Sequence, residues 1–420
     1  MLRTLITLLT RFGAAGFSFL TVIATTRFLG PAGRGEVSLF VAVAGLLGLL
    51  QQFIGGSAVV VLARHYHPGT LVAALYSWNF IFHVMAALVV ALGGWLSPPF
   101  MAWLFVFSIL DNLLKTHNQM LMGHGLLHWD HRIRLSRAVM VLLGFWGYAR
   151  LQAAAEAELY YAVLTITAAA IMLTSAPAVL QLPRTGTFSW RWPASLYKEG
   201  FWAQLAHFIR FLNVRLSYFI IAPLLGKAAL GVYSVGVNLG EVLTIFAQGM
   251  AITHYINTLR DPAHPLAVRR LIRIAWLSMV LTAGALMVLL ALPSTLYSWL
   301  FGESFGHSKR ILMLLGPGLT GLALATVYHH WFHARRQYQR IVWASVTGLA
   351  VNLLLLYPLV NQFGAMGAAA ATSAGQLTIA GVALFYFRKD PDRPAVLPGP
   401  GRSLCALWRL GRRRLSRPGF

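Results

Sequence analysis

Charged residues are scarce in this chain, and acidic ones are the scarcest. Only 11% of the 420 residues are charged, and 11 Asp or Glu stand against 34 Lys or Arg, while 58% of the residues are hydrophobic. A soluble protein of this length needs more charge to keep its surface hydrated. The composition therefore excludes an ordinary soluble protein and indicates a protein that lies largely in a lipid bilayer.

Cysteine occurs only once, and the common catalytic signatures are missing. The single cysteine, Cys405, excludes an internal disulfide framework. No P-loop, Gly-x-Ser-x-Gly or His-Glu-x-x-His pattern occurs, so the sequence predicts neither ATP hydrolysis nor another enzymatic activity. The first apolar block contains Arg11 and has no clear small-residue cleavage site, so we expect the N-terminus to be retained.

Long apolar blocks make up most of the chain, and a block of about 20 residues can cross a bilayer. We predict an all-α polytopic membrane protein with about twelve transmembrane helices, six in each half. The predicted spans are Leu5–Thr26, Val37–Leu62, Leu71–Trp95, Phe100–Met122, Leu135–Gln152, Leu159–Leu180, Phe201–Leu225, Ala228–Tyr255, Leu271–Leu292, Ile311–Trp331, Ile341–Leu359 and Ala365–Phe387.

Basic residues lie mainly in the connections on one side of these spans. If both termini share a side, that side holds 24 of the 34 Lys and Arg residues, and four more lie within spans. Positive charge accumulates on the cytoplasmic side of membrane proteins, so we predict that both termini are cytoplasmic. The opposite side holds six: Arg27, Arg34, Arg150, Lys227, Lys309 and Arg310.

A short turn motif occurs twice, once in each half. Leu29–Ser38 and Leu225–Ser234 share five of ten residues without a gap, and Gly30 and Gly35 recur as Gly226 and Gly231. Internal repeats with a binding site between them are a common plan of secondary transporters. We therefore predict two pseudo-symmetric six-helix lobes.

The predicted domain boundaries follow from these spans. An N-terminal lobe covers residues 1–185 and a C-terminal lobe covers residues 201–388. Residues 186–200, which contain Trp and Arg in alternation, form a linker at the cytoplasmic membrane surface. Residues 389–420 are a basic tail that we expect to be disordered and attracted to anionic lipid, not to nucleic acid.

Ionisable residues inside spans are the candidate functional residues, because they are costly to expose to lipid. Arg11 either extends toward the cytoplasmic headgroups or lines a cavity. Asp111 and Lys115 are four positions apart, so they lie on one helix face and can pair. Such a pair is either structural or a switch that a substrate anion opens.

The seventh span is the most polar. Arg210 and Asn213 share one face of this helix, whereas Arg215 points elsewhere. Two arginines without an acidic partner in the span predict an anion site, such as one for phosphate. The alternative is pairing with carboxylates on other helices, for which Asp111 and Glu241 are available. Glu241 is either such a partner or an ion-coupling carboxylate.

Histidines do not form a convincing metal site. His329 and His333 have the spacing of a metal-binding pair on a helix, but no third ligand is visible, so we predict no metal and no cofactor. Coupling to protons or sodium ions is the only ion requirement that we consider.

Several stretches resemble the polysaccharide transporter (Wzx-like) family of lipid-linked oligosaccharide flippases, in the multidrug/oligosaccharidyl-lipid/polysaccharide exporter (MOP) superfamily. The motifs RFLGPAGRGEVSLF, RLSYFIIAPLLGKAALGVYSVGVNLGEVL, LFGESF and FGAMGAAAATSAG carry this resemblance. It implies a V-shaped pair of six-helix bundles around a cationic cavity. By position, Arg215 matches a basic residue that is frequent in the family. Ser217 replaces a frequent acid and Lys227 a frequent proline.

The resemblance implies a flippase of the bacterial inner membrane. Its cargo would be an undecaprenyl-pyrophosphate-linked oligosaccharide for O-antigen, capsule or exopolysaccharide, and its partners membrane lipids and glycan polymerase machinery. A drug or organic-cation antiporter of the same superfamily is the alternative. A glycan polymerase or ligase is disfavoured because no outer connection is long enough for a catalytic loop.

Overall fold

The computed structural model describes residues 2–94, 96–151, 156–184, 186–198, 200–260, 267–335 and 337–390. These residues are almost entirely helical and contain no β-strand. The predicted all-α membrane fold is therefore confirmed. The helices are α1 (Leu2–Gln51), α2 (Gly56–Leu62), α3 (Pro68–Gly93), α4 (Pro98–Gly123), α5 (Leu127–Leu151), α6 (Ala157–Leu180), α7 (Ser195–Lys198), α8 (Phe201–Arg260), α9 (Ala267–Ala291), α10 (Ser294–Phe301), α11 (Ser308–Ala334) and α12 (Tyr338–Arg388).

Three helices are long because each joins two segments across a glycine kink. The kinks lie at Gly30 in α1, Gly226 in α8 and Gly364 in α12, with φ angles of 65°, 85° and 60°. L-residues rarely adopt positive φ, which explains why glycine occupies these positions. Two predicted spans lie within each of these helices.

Seven helices of the described chain are long and apolar enough to cross a membrane, and α1, α8 and α12 are three of them. Because those three contain two spans each, the seven account for ten of the twelve predicted spans. The more polar helices α4 and α5 correspond to the other two. Large apolar side chains are exposed on the outer faces, such as Leu92 and Met287, as expected where a helix contacts lipid.

Two predicted spans differ from the observed helices. The second span, Val37–Leu62, is interrupted after Gln51, and the chain resumes as α2 at Gly56 because Gly55 and Gly56 both have positive φ. The fifth span was predicted to start at Leu135, but α5 starts at Leu127. The polar residues between Leu127 and Leu135 therefore continue the helix, and α5 carries charge along its first turns.

Helices of each half pack mainly on one another. In the first half α4 packs on α6 and α1 on α5, and in the second half α11 packs on α8, α9 and α12. The core of the first half includes Phe40 stacked on Tyr161, with ring centroids 4.0 Å apart. The main contact between the halves is that of α1 with α8.

The two repeated turns pack directly against each other. A Cβ atom on Gly35 would lie 1.7 Å from the carbonyl oxygen of Lys227, and one on Gly231 would lie 2.0 Å from that of Pro31. This reciprocal contact brings the two backbones together without side chains between them. An ion pair between Lys227 Nζ and Glu36 Oε2, 2.9 Å apart, lies beside it. The two halves are therefore in contact at the end of the molecule where the turns lie.

Two predicted regions outside the lobes are seen only in part. In the linker, Trp190 and Trp192 are exposed, as a segment at a membrane surface requires. The basic tail lies outside the described residues except for Lys389 and Asp390.

Substituting Gly35 tests the contact between the turns. Gly35→Ala should lower the free energy of unfolding in detergent by about 1–3 kcal/mol, because backbone must move to admit the methyl group. Gly284→Ala is the matched control, since a Cβ there meets no atom within 4 Å. Equal stability of the two variants in thermal unfolding would show that this contact is not close in the folded protein.

Candidate functional site

Two adjoining cavities lie between the helices of the two halves. The larger has a volume of about 890 Å³ and is lined by α1, α4, α5, α6 and α8. The smaller has a volume of about 430 Å³ and is lined by α1, α8, α11 and α12. The cavities share lining residues on α1 and α8, so they form neighbouring compartments. The shared residues are Ala15, Ser18, Val22, Asn238 and Gln248.

Cationic side chains outnumber carboxylates around the larger cavity. Its carboxylates are those of Asp111 and Asp130, and the cations come from α1, α4, α5 and α8. The cavity therefore has an excess of positive charge, which favours an anionic occupant. The cations are Arg11, Arg34, Lys115, Arg134, Arg137 and Arg215.

Asp111 pairs with two of these cations. Its carboxylate lies 2.8 Å from Lys115 Nζ, as the spacing of four residues allows, and it also accepts a hydrogen bond from Arg137 Nη1. Sequence reasoning did not identify Arg137 as a site residue, because the predicted start of the fifth span put it at the membrane boundary. The continuation of α5 toward Leu127 places Arg137 inside the helix and beside Asp111.

Two arginines of α1 line the cavity without a carboxylate partner among the described residues. Arg11 has no hydrogen-bond partner for its buried Nε. Arg34 donates a hydrogen bond of 2.9 Å from Nη1 to Thr25 Oγ1, while its Nε has no partner. Both guanidinium groups therefore retain the capacity to bind an anion.

The prediction that Arg34 lies in an outer connection was wrong. It is 6% exposed and lines the larger cavity. The second helical segment of α1 resumes directly after Gly30, so Arg34 lies in its first turn and contacts Thr25 on the preceding segment. The only sequence signal was the position of Arg34 between the two glycines of the turn.

Arg215 is neutralised within the protein. Its Nη2 lies 2.7 Å from Glu241 Oε1, and its Nη1 donates a hydrogen bond of 2.6 Å to the Tyr218 hydroxyl. Of the two alternatives for the arginines of the seventh span, pairing with a carboxylate of another span therefore applies to Arg215. Arg215 lines the larger cavity and Glu241 the smaller, so the pair lies between the two compartments.

Arg210 and Asn213 line the smaller cavity. Asn213 donates hydrogen bonds of 3.0 Å to the carbonyl oxygens of Ile209 and Ser345, which leaves its Oδ1 without a partner. Arg210 forms no ion pair or hydrogen bond within the described part of the chain, and its side chain is exposed to the cavity. The face with Arg210 and Asn213 thus lines the smaller cavity, whereas Arg215 on the other face lines the larger one.

Both carboxylates considered for ion coupling, Asp111 and Glu241, are engaged in ion pairs. Ser217, which replaces the acid frequent in the resembled family, forms a buried hydroxyl pair with Thr372 at 2.9 Å. The arrangement at Ser217 therefore carries no charge of its own.

Histidines in the described residues do not assemble into a metal site. No group of three metal-ligating side chains occurs within these residues. His117 lies buried in the first half, where Tyr76 and Ser175 hydrogen-bond to its two ring nitrogens. His329 and His330 line the smaller cavity.

Comparisons with known proteins give one partial family match and several similar folds. A family model described as lipid II flippase MurJ matches residues 257–395. No curated protein matches the sequence. Because the family model covers only the C-terminal part of the chain, it does not by itself assign the whole protein.

Solved structures match over nearly the whole chain. A structure of lipid II flippase MurJ in an inward closed conformation has a TM-score of 0.69 at 12% identity, covering 99% of this chain and 93% of the other. An inward-facing multidrug resistance MATE family transporter of the MOP superfamily has a TM-score of 0.69 at 12% identity, covering 89% and 94%.

The Vibrio cholerae MATE transporter VcmN in the bent form matches less closely, with a TM-score of 0.57 at 13% identity over 92% and 94% of the two chains. Identities this low establish a shared fold. The fold is therefore that of the MurJ and MATE structures. The comparisons do not specifically support the polysaccharide transporter family.

Asp111 should be more important for stability than Lys115. Asp111→Asn leaves two cations without a counter-charge in a partly buried site, where the loss of one partner typically costs about 3–5 kcal/mol. Lys115→Gln should cost about 0–1 kcal/mol, because Arg137 still neutralises Asp111 and Lys115 is 36% exposed. Thermal unfolding in detergent measures both, and an equal loss would show that Arg137 does not neutralise Asp111.

Proposed function

We propose that this protein is a flippase that moves an undecaprenyl-pyrophosphate-linked oligosaccharide from the cytoplasmic to the periplasmic leaflet of the bacterial inner membrane. The observation that carries the proposal is the larger cavity, in which Arg11 and Arg34 have no carboxylate partner among the residues that the structure describes. Guanidinium groups bind diphosphate oxygens through paired, charge-assisted hydrogen bonds. The chain needs no covalent chemistry for this task.

The fold supports a transport cycle of alternating access. The halves meet at the glycine turns, and the predicted orientation puts that end on the periplasmic side. The cavity would then receive a headgroup from the cytoplasmic leaflet. Release requires the contact of Gly35 and Gly231 to separate while the opposite end closes. The lipid tail stays in the bilayer between the halves throughout this cycle.

The ion pairs around the cavity supply a switch for this cycle. A diphosphate bound near Lys115 and Arg137 competes with Asp111 for both cations. Likewise, it competes with Glu241 for Arg215. Movement of protons or sodium ions is the driving force that we propose, with the freed carboxylates as acceptors.

The same fold is also compatible with two other cargoes, lipid II and an organic cation. The MurJ family match favours lipid II as the lipid-linked cargo. The MATE structures favour a drug or organic cation, but an excess of cations around the larger cavity repels such a cargo. Vesicles that contain the purified protein should therefore be supplied separately with the oligosaccharide lipid, lipid II and a cationic dye.

Transport in these vesicles should depend on Arg11. Arg11→Gln removes one charge-assisted contact, worth about 1.5–3 kcal/mol, so translocation of the lipid-linked oligosaccharide should fall at least about tenfold. The matched control is Arg150→Gln, because Arg150 lies at the end of α5 over Trp146 and lines neither cavity.

The readout is the fraction of glycolipid that a membrane-impermeant glycosidase can reach over time. Transport of the dye without transport of either lipid would refute the flippase proposal. Transport of lipid II alone would replace the oligosaccharide as the cargo and leave the flippase activity standing.

A further inference from the structure

One guanidinium group, that of Arg210, lines the smaller cavity. Arg210 lines this cavity and makes no ion pair within the described residues. Glu241, the only carboxylate among the lining residues, is bound to Arg215 at 2.7 Å. A guanidinium group without a counter-charge in a partly enclosed, mostly apolar space is unfavourable unless an anion joins it. We therefore expect the smaller cavity to bind a group with one negative charge.

Three further side chains of the same cavity have polar atoms without a hydrogen-bond partner. They are Asn213 Oδ1, His329 Nε2 and Gln376 Oε1. Amide oxygens accept hydrogen bonds from hydroxyl groups, and an imidazole nitrogen can either accept or donate. Buried polar atoms normally have partners, and small rotations of these side chains would turn the atoms toward the hydroxyl groups of a ligand in the cavity.

The walls of the cavity suit the other surfaces of a sugar. Leu315 and Leu319 of α11 and Val237 of α8 provide apolar contacts between the polar groups. A mostly apolar pocket with a few convergent polar groups is the usual form of a small-molecule site. The volume of about 430 Å³ is enough for a sugar unit and about half that of the neighbouring compartment.

A diphosphate fits the smaller cavity less well than the larger one. A diphosphate carries several negative charges, and the larger cavity has two cations without a carboxylate partner among the described residues, Arg11 and Arg34, whereas the smaller has one. A carboxylate, by contrast, is matched by a single guanidinium in a bidentate pair. Because the cavities adjoin along α1 and α8, one headgroup can extend from the first into the second.

We infer that the smaller cavity binds a carboxylate-bearing sugar of the transported glycan, with Arg210 as the partner of the carboxylate and Asn213, His329 and Gln376 as partners of hydroxyl groups. This inference rests on the proposed function, since it assigns the glycan portion of the same lipid-linked cargo. It makes the protein selective for acidic over neutral glycans.

The test compares two cargoes that differ in one group. Undecaprenyl-diphosphate disaccharides ending in glucuronate or in glucose are titrated into the purified full-length protein, and the dissociation constants are measured. The wild-type protein should bind the glucuronate lipid about tenfold more tightly. Arg210→Gln should abolish this preference and change binding of the glucose lipid less than about twofold. Arg210→Lys should retain part of the preference, because it keeps the charge.

Arg11→Gln and Arg150→Gln serve as the controls. Arg11→Gln should weaken binding of both lipids by a similar factor, because both contain the diphosphate, and Arg150→Gln should change the binding of neither lipid.

Binding of both lipids by the wild-type protein without a preference would overturn the inference and leave the proposed function standing. Binding of neither lipid by the folded protein would overturn both. If Arg210→Gln does not fold, the preference for the glucuronate lipid is compared between Arg210→Lys and the wild-type protein, and an equal preference would overturn the inference. An unchanged preference in an Arg210→Ala variant would also overturn it.

Discussion

The structure depends on the close approach of two backbones at Gly35 and Gly231. The space for a Cβ atom at each glycine is taken by a carbonyl oxygen of the opposite turn. Small residues allow helices to approach closely in membranes, where apolar burial gives little driving force between them. This contact brings α1 and α8 together at one end, and the kinks at Gly30 and Gly226 direct the remaining segments of both helices away from it. The cavities lie along these diverging segments.

Some cations around the cavities are paired with carboxylates, and others are available to bind an anion. Asp111 holds Lys115 and Arg137, and Glu241 holds Arg215. Removal of ion pairs from water is costly, so such pairs in a membrane protein are expected to be close and hydrogen-bonded, as these are. Among the described residues, Arg11 and Arg34 in the larger compartment and Arg210 in the smaller one remain without a carboxylate partner. This division supports a cargo with a diphosphate and a second, separate anionic group.

Local sequence patterns were sufficient to predict where the helical segments lie. The apolar blocks predicted twelve spans because the length of a span follows from bilayer thickness, and the structure contains helical segments at all twelve positions. They failed at boundaries, as for α5, where a polar first turn continues the helix outside the apolar block. They also misplaced Arg34, because a turn and the start of a new helix have similar composition. Contacts with other parts of the protein decide whether such a segment forms a turn or the start of a helix.

The amino-acid sequence alone determined the membrane class, the approximate positions of the helical segments and the repeated turns, because each depends on residues near one another in the chain. It also predicted an anion site, because Arg210 and Arg215 lie in a span that contains no carboxylate. Only the tertiary structure decided which cations remain available. Asp111 and Arg137 are 26 residues apart, as are Arg215 and Glu241, and their pairing depends on how helices pack. The separation of Arg11 and Arg210 into two compartments has the same origin, since helix packing, not chain order, determines which faces enclose a common space.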